Sequence, residues 1–160
     1  MWPFARRHLA PFFSENLKHI ISQSREVAIC SRNDFVGAEH LLMAILAEPT
    51  TSAARVLDHL LVSPQLFVLR LEAHAAAYQL APDEPEPSGS LPLTKELEHA
   101  FSSCGRVARE MGATEIEAMH LLPPLLALPN GAVAGLAAEF GLTFEALLPL
   151  LRPHASRQTE

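Results

Sequence analysis

With 160 residues, the chain is long enough for one compact domain with a real core. A formal net charge of −6 and the lack of any long basic run argue against nucleic acid or an anionic membrane as a partner. No stretch approaches the roughly 20 apolar residues needed to span a bilayer, so a cytoplasmic protein is expected.

The start holds Trp2, Phe4, Leu9, Phe12 and Phe13. Arg6, Arg7 and His8 interrupt it and Pro3 and Pro11 break it, so no signal-peptide core forms there. That small basic cluster reads as a solvated terminus. Ser14 is expected to cap a helix over 14–31, with Leu17, Ile20, Ile21, Ser24 and Ala28 on one stripe. Asn33 and Asp34 break it. A second helix starts near Ala38, carries Leu41, Leu42, Ile45 and Leu46, and stops at Glu48-Pro49, because proline disfavours helical geometry in the residue before it. A third covers about 51–61 with Ala54, Val56, Leu57 and Leu60. Ser63 and Pro64 suit the cap and first position of a fourth, which runs to about Tyr78 with Leu66, Phe67, Leu69, Leu71 and Ala73.

Residues 80–92 contain Pro82, Pro85, Pro87 and Pro92 among acids, Ser and Gly, and read as a linker. Thr94 then caps a second set of helices, at about 94–111, 118–128, 131–140 and 144–152, with Thr143 as the last cap. Pro123 and Pro124 fall inside the expected 118–128 helix and must shorten or kink it. No segment alternates with period two, so the fold is all-α with about eight helices.

The two sets repeat each other. Adding 80 to a residue number takes Leu17, His19, Ser22, Val27 and Ala28 to Leu97, His99, Ser102, Val107 and Ala108. The same shift takes Ala38, His40, Leu41 and Leu42 to Ala118, His120, Leu121 and Leu122, and Pro49 to Pro129. Two tandem four-helix repeats about a pseudo-twofold axis are expected to form one compact domain. Their bounds are 13–79 and 93–152, after an extension at 1–12 and before a flexible tail at 153–160. Cys30 and Cys104 are not equivalent under the shift and form no CxxC pair, so they read as reduced thiols, although sequence leaves a disulfide open.

The stretch Val36-Gly37-Ala38-Glu39-His40-Leu41-Leu42-Met43-Ala44-Ile45-Leu46 resembles the Gly-Thr-Glu-His-Leu-Leu signature of the Clp N-terminal repeat domain, which precedes the ATPase modules of Clp-type AAA+ unfoldases. Phe13-Ser14-Glu15 resembles that family's Phe-Thr-Glu opening, and Ala53-Ala54-Arg55-Val56-Leu57 its third helix. The resemblance implies a docking module for degradation tags, adaptor proteins and, in one branch, phosphorylated arginine. It assigns the phosphoarginine-contacting carboxylate to Glu39 in repeat one. The aligned residue in repeat two is Met119, and Glu117 stands two places early, so the chain would hold one such ligand or none. Ala38 replaces the family's Thr, and a lost capping hydroxyl typically costs about 1 kcal/mol.

Residue chemistry leaves the role of Glu39 open. A carboxylate in the first turn complements the helix dipole, which is reason enough for it to be there. It can also grip a guanidinium with two hydrogen bonds. His40 and His120 are matched but have no ligand at local metal spacing, and read as structural; His19 and His99 read as equivalent packing positions. There is no P-loop, no His-Glu-x-x-His and no Gly-x-Ser-x-Gly, so no enzyme, metal or cofactor is expected.

Two functions follow. The first is a non-catalytic interaction module of the Clp system, partnered by Clp unfoldase or protease subunits, adaptors or tagged substrates, with Phe12, Phe13 and Val27 on its docking surface. The polar end Ser156-Arg157-Gln158-Thr159-Glu160 favours a free-standing accessory protein over an excised domain. The alternative is a small-ligand or regulatory helical domain that kept the fold and lost the docking role. A metal-dependent enzyme built on the matched histidines is a remote third.

Overall fold

Short polar side chains set most of the helix starts. Each helix leaves N–H groups without a partner in its first turn, and a hydroxyl one residue ahead can accept one of them. Ser14, Thr51, Ser63, Thr94 and Thr143 accept the N–H of Leu17, Ala54, Leu66, Leu97 and Ala146. A computed structural model describes residues 12–157, with side chains through Leu151. The basic cluster Arg6-Arg7-His8 lies outside the described residues.

In chain order the elements are β1 (Phe12–Phe13), α1 (Glu15–Cys30), α2 (Ala38–Leu46), α3 (Ser52–Leu60), α4 (Pro64–Ala76), α5 (Lys95–Glu110), β2 (Glu115–Ile116), α6 (Leu122–Leu126), α7 (Ala132–Glu139) and α8 (Phe144–Arg157). The fold is all-α, as expected. Two helix bounds differ from expectation. The 118–128 helix is split into one 3-10 turn, Ala118–Leu121, and the short α6. Pro123 and Pro124 lack the N–H that a continuous helix needs, but in a new first turn no such N–H is required. At the other end α8 continues to Arg157 instead of stopping at 152. Proline already has a helical φ, so Pro153 removes one hydrogen bond without ending the helix.

The two-residue strands show how the repeats join. Phe12 and Phe13 pair in parallel with Glu115 and Ile116, and Ser14 N–H reaches Ile116 O at 3.0 Å. Across the pseudo-axis, Val36 bridges Leu93, and Thr94 N–H reaches Val36 O at 2.9 Å. Each repeat therefore inserts the residues before its first helix beside the loop before the other repeat's second helix. The exchange is reciprocal, as a twofold requires.

In repeat one, Leu17, Ile20 and Ala28 of α1 bury against Leu41, Leu42 and Ile45 of α2. Leu97, Ala100 and Ala108 of α5 and Leu121, Leu122 and Leu125 do the same in repeat two. From Ala38 to Ile45 every residue of α2 is buried, so this helix runs through the interior. His19 and His99 are exposed rather than packed. Two residues past Leu17, a side chain has turned about 200° and faces solvent, where His19 meets Glu48 at 3.1 Å. On α4, Phe67, Leu71 and Ala75 are buried, while Leu66 and Leu69 lie on the open side.

The linker is held down. Arg32 adopts φ 56, a conformation that glycine takes at the equivalent Gly112. Its guanidinium donates to the carbonyls of Ala81 and Glu84, and Arg25 donates to Gly89 O. Cys30 is exposed and Cys104 buried, and both are free thiols. Among the described residues, no single helix is long and apolar enough to cross a membrane, and no group of His, Cys, Asp or Glu could hold a metal ion.

Candidate functional site

The start of the buried helix α2 carries three polar features in four residues. Gly37 is the cap, Glu39 is 3% exposed and His40 is fully buried. His40 Nδ1 accepts the Gly37 N–H at 2.9 Å. Its Nε2 must then carry the proton, which it donates to Asn33 Oδ1 at 2.8 Å. Asn33 in turn donates to Ala75 O at the end of α4, at 3.0 Å. Burial, with the nearby His74 adding to it, pushes the His40 pKa down to about 4. His120 accepts the Glu117 N–H at 2.8 Å, and burial likewise takes its pKa down to about 4. Both histidines are neutral structural clamps on a helix start.

Glu39 is different. Among the described residues no other residue donates a hydrogen bond to its carboxylate; His40 Nδ1 stands 3.8 Å away but is itself an acceptor. Burial raises its pKa, its own backbone N–H and His74 act to lower it, and Glu96 raises it further. The carboxylate fits because Gly37 has no side chain: a Cβ there would stand 2.5 Å and 2.6 Å from the two Glu39 oxygens. The backbone at Gly37 is extended, so the conflict is purely steric. Gly37→Ala is therefore expected to expel the Glu39 carboxylate while changing stability by no more than about 1 kcal/mol, since the clash is with the flexible end of a side chain. NMR titration of Glu39 checks this: its pKa should fall back toward the ordinary carboxylate range.

Glu39 opens on a cleft of about 300 Å³ between the repeats. Repeat one contributes Phe35, His74 and Tyr78 as an aromatic wall; repeat two contributes Thr94, Glu96 and Ala132. Phe35 and Tyr78 meet edge to face at 6.2 Å, and His74 and Tyr78 meet at 5.6 Å. Glu96 Oε1 accepts the Ala132 N–H at 3.2 Å, while its Oε2 is buried with no hydrogen-bond partner. Two carboxylates with free lone pairs beside aromatic faces suit a planar cation.

The pseudo-axis produces a second cleft of about 260 Å³ with Ser52, Glu115 and Met119 where the first has Ala132, Phe35 and Glu39. Its chemistry is altered at the key position. Glu117 occupies the place of Gly37, and its carboxylate accepts the Ser14 hydroxyl at 2.9 Å. Repeat two thus lacks both the missing Cβ and the acid that uses the space.

Of the expected docking residues, Phe12 is 72% exposed. Phe13 is half-buried with its ring 6.0 Å from Phe101, and Val27 is half-buried against the core. Phe35, His74, Tyr78 and Glu96 were not singled out from sequence. His74 and Tyr78 stand four apart on α4, but neither that spacing nor a first-turn Glu96 marks a site without the cross-repeat packing.

The chain matches the family model of the Clp repeat (R) N-terminal domain over residues 12–140. It is 24% identical over 140 residues to the chaperone protein ClpB of Nitratidesulfovibrio vulgaris, covering 87% of this chain and only 16% of that protein. In structure it is similar to the Hsp104 N-terminal domain from Candida albicans, at 16% identity and a TM-score of 0.68 over 93% of both chains. It is also similar to the N-terminal domain of the chaperone ClpD from Arabidopsis thaliana, at 19% identity and a TM-score of 0.64, over 92% of this chain and 94% of that one.

Proposed function

Because the chain belongs to the Clp repeat N-terminal domain family, we propose that it is a non-catalytic docking module of the Clp chaperone system, receiving segments of substrate or adaptor proteins. The observation that supports this reading most is the nearly buried Glu39 carboxylate, without a donor from another residue, in an aromatic-walled cleft between the repeats. A cleft of about 300 Å³ is at the small end of ligand sites and suits one side chain rather than a whole peptide. A guanidinium matches it: Glu39 can accept two parallel N–H bonds, and Phe35 and Tyr78 offer faces to a flat cation. The ligand on this reading is arginine or phosphoarginine displayed by a partner protein. Met119 removes the equivalent acid from repeat two, so one equivalent binds. Exposed Phe12, next to the half-buried Phe13, supplies an apolar contact for the rest of the partner, and Val27 lies some turns away along α1.

The test is a calorimetric titration with two capped tripeptides, one centred on arginine and one on norleucine. Saturable binding of the arginine peptide near one equivalent is expected, with none for norleucine and none in Glu39→Gln. Equal heats from both peptides, or no heat from either the arginine peptide or its phosphorylated form, would remove Glu39 from the docking role.

A further inference from the structure

The cleft carries more information than the position of Glu39. Its second acid comes from the other repeat. Glu96 lies in the first turn of α5, two residues after the cap Thr94, and reaches across to the start of α7. A helix N-terminus is where a phosphoryl group would find N–H donors. Here the Ala132 N–H is already taken by Glu96 Oε1. The Thr94 hydroxyl accepts the Leu97 N–H at 3.4 Å, which leaves its own O–H as a donor without a neighbouring cation to support it. Among the described residues, no Lys or Arg lines the cleft. The remaining oxygen, Glu96 Oε2, is buried and lacks a donor. Glycine at 131 is part of this fit, since a Cβ there would come within 3.0 Å of the same oxygen.

These features favour one charge state of the ligand. An unmodified guanidinium brings donors on all its edges to a site with surplus acceptors. A phosphoryl group carries about two negative charges at neutral pH and only acceptor oxygens. It would meet Glu96 where it needs a cation, and an N–H that the protein has already satisfied.

We propose that this cleft selects unmodified arginine over phosphorylated arginine, and that Glu96 sets the selectivity. The inference rests on the guanidinium reading of Glu39 and refines its ligand. Glu96 is a specificity residue from repeat two acting on a ligand held by repeat one, so the exchange between repeats is what builds the site.

The experiment titrates capped tripeptides centred on arginine and on phosphoarginine into wild type, Glu96→Gln and Glu39→Gln. Glutamine at 96 keeps an oxygen for the Ala132 N–H, and melting curves for each variant confirm that the fold is retained. Wild type is expected to bind arginine at least about tenfold tighter than phosphoarginine. Glu96→Gln is expected to shrink that ratio at least about threefold by weakening the first and strengthening the second. Equal or tighter binding of phosphoarginine by wild type would overturn the selectivity while leaving Glu39 as a guanidinium acceptor. An unchanged ratio in Glu96→Gln would overturn the role of Glu96. Binding of neither peptide would overturn both this inference and the guanidinium reading beneath it.

Discussion

Acidification from pH 7.5 to pH 5 is expected to remove about 4 kcal/mol of folding stability through two side chains, His40 and His120. Each is buried, and each has a folded-state pKa near 4 against an ordinary 6.5. Between those values the unfolded chain binds more protons than the folded one, so stability rises with pH. The contribution is fully present above pH 6.5 and is lost as pH falls toward 4, at about 2 kcal/mol per histidine by pH 5. The cause is geometric. Each Nδ1 must stay unprotonated to accept the N–H of Gly37 or Glu117. Glu39 acts in the opposite sense. Its raised pKa means that its protonated form suits the fold, so stability is lost as pH rises above 4.5, which offsets part of the loss at the acid end. Urea midpoints measured by circular dichroism across this range give the slope directly. His120→Gln keeps an acceptor for the Glu117 N–H but cannot titrate, and should remove about half of the dependence. Identical slopes in the variant and wild type would show that the acid sensitivity lies elsewhere.

The matched histidines were visible in the sequence as one residue type recurring at a fixed shift, and their structural reading agrees with the bonds they make. The helix starts at Ser14, Ser63, Thr94 and Thr143 were equally legible, because a hydroxyl cap is a local device that needs only the next three residues. Helix interiors followed from apolar spacing, and the prolines at 123 and 124 announced the break that splits the sixth helix. What sequence could not supply was anything created by the second repeat lying across the first. The strand pairs Phe12–Phe13 and Glu115–Ile116 are two residues long, too short for any alternation to register, and exist only because the repeats interlock. Glu96 drew no notice in the sequence, and only the fold brings it to the same cleft as Glu39 with a buried oxygen that lacks a donor. Gly37 was legible as part of a family motif, but its physical purpose appears only when the carboxylate two residues later is seen folded into the space of the missing Cβ. Position 19 shows the reverse error, since identity between repeats suggested packing where the helix turns its side chain to solvent.

Phe67→Ala is expected to cost about 3–5 kcal/mol, against a total of roughly 5–15 kcal/mol for a domain of this kind. Phe67 is fully buried on α4, and its ring lies 5.4 Å from that of Phe140, the residue that closes α7 in the other repeat. Val62 N–H donates to Phe140 O at 3.0 Å in the same seam. Truncating Phe67 leaves a cavity where the two repeats meet, so the damage is shared by both. Because the halves also exchange their N-terminal segments, neither retains a complete core alone, and the variant should unfold in a single transition at lower denaturant. Arg70→Ala is the internal control. Arg70 reaches the same seam, pairing with Glu139 at 3.1 Å and lying 5.9 Å from the Phe140 ring, but both partners of that ion pair are half-exposed. Exposed pairs contribute about 1 kcal/mol or less, so this variant should stay close to wild type. Chemical denaturation of the two variants side by side decides whether the repeats stand as one cooperative unit. Two separate transitions in Phe67→Ala, or losses no larger than those of Arg70→Ala, would mean that the repeats stand independently and that the cleft between them is held by the exchanged strands alone.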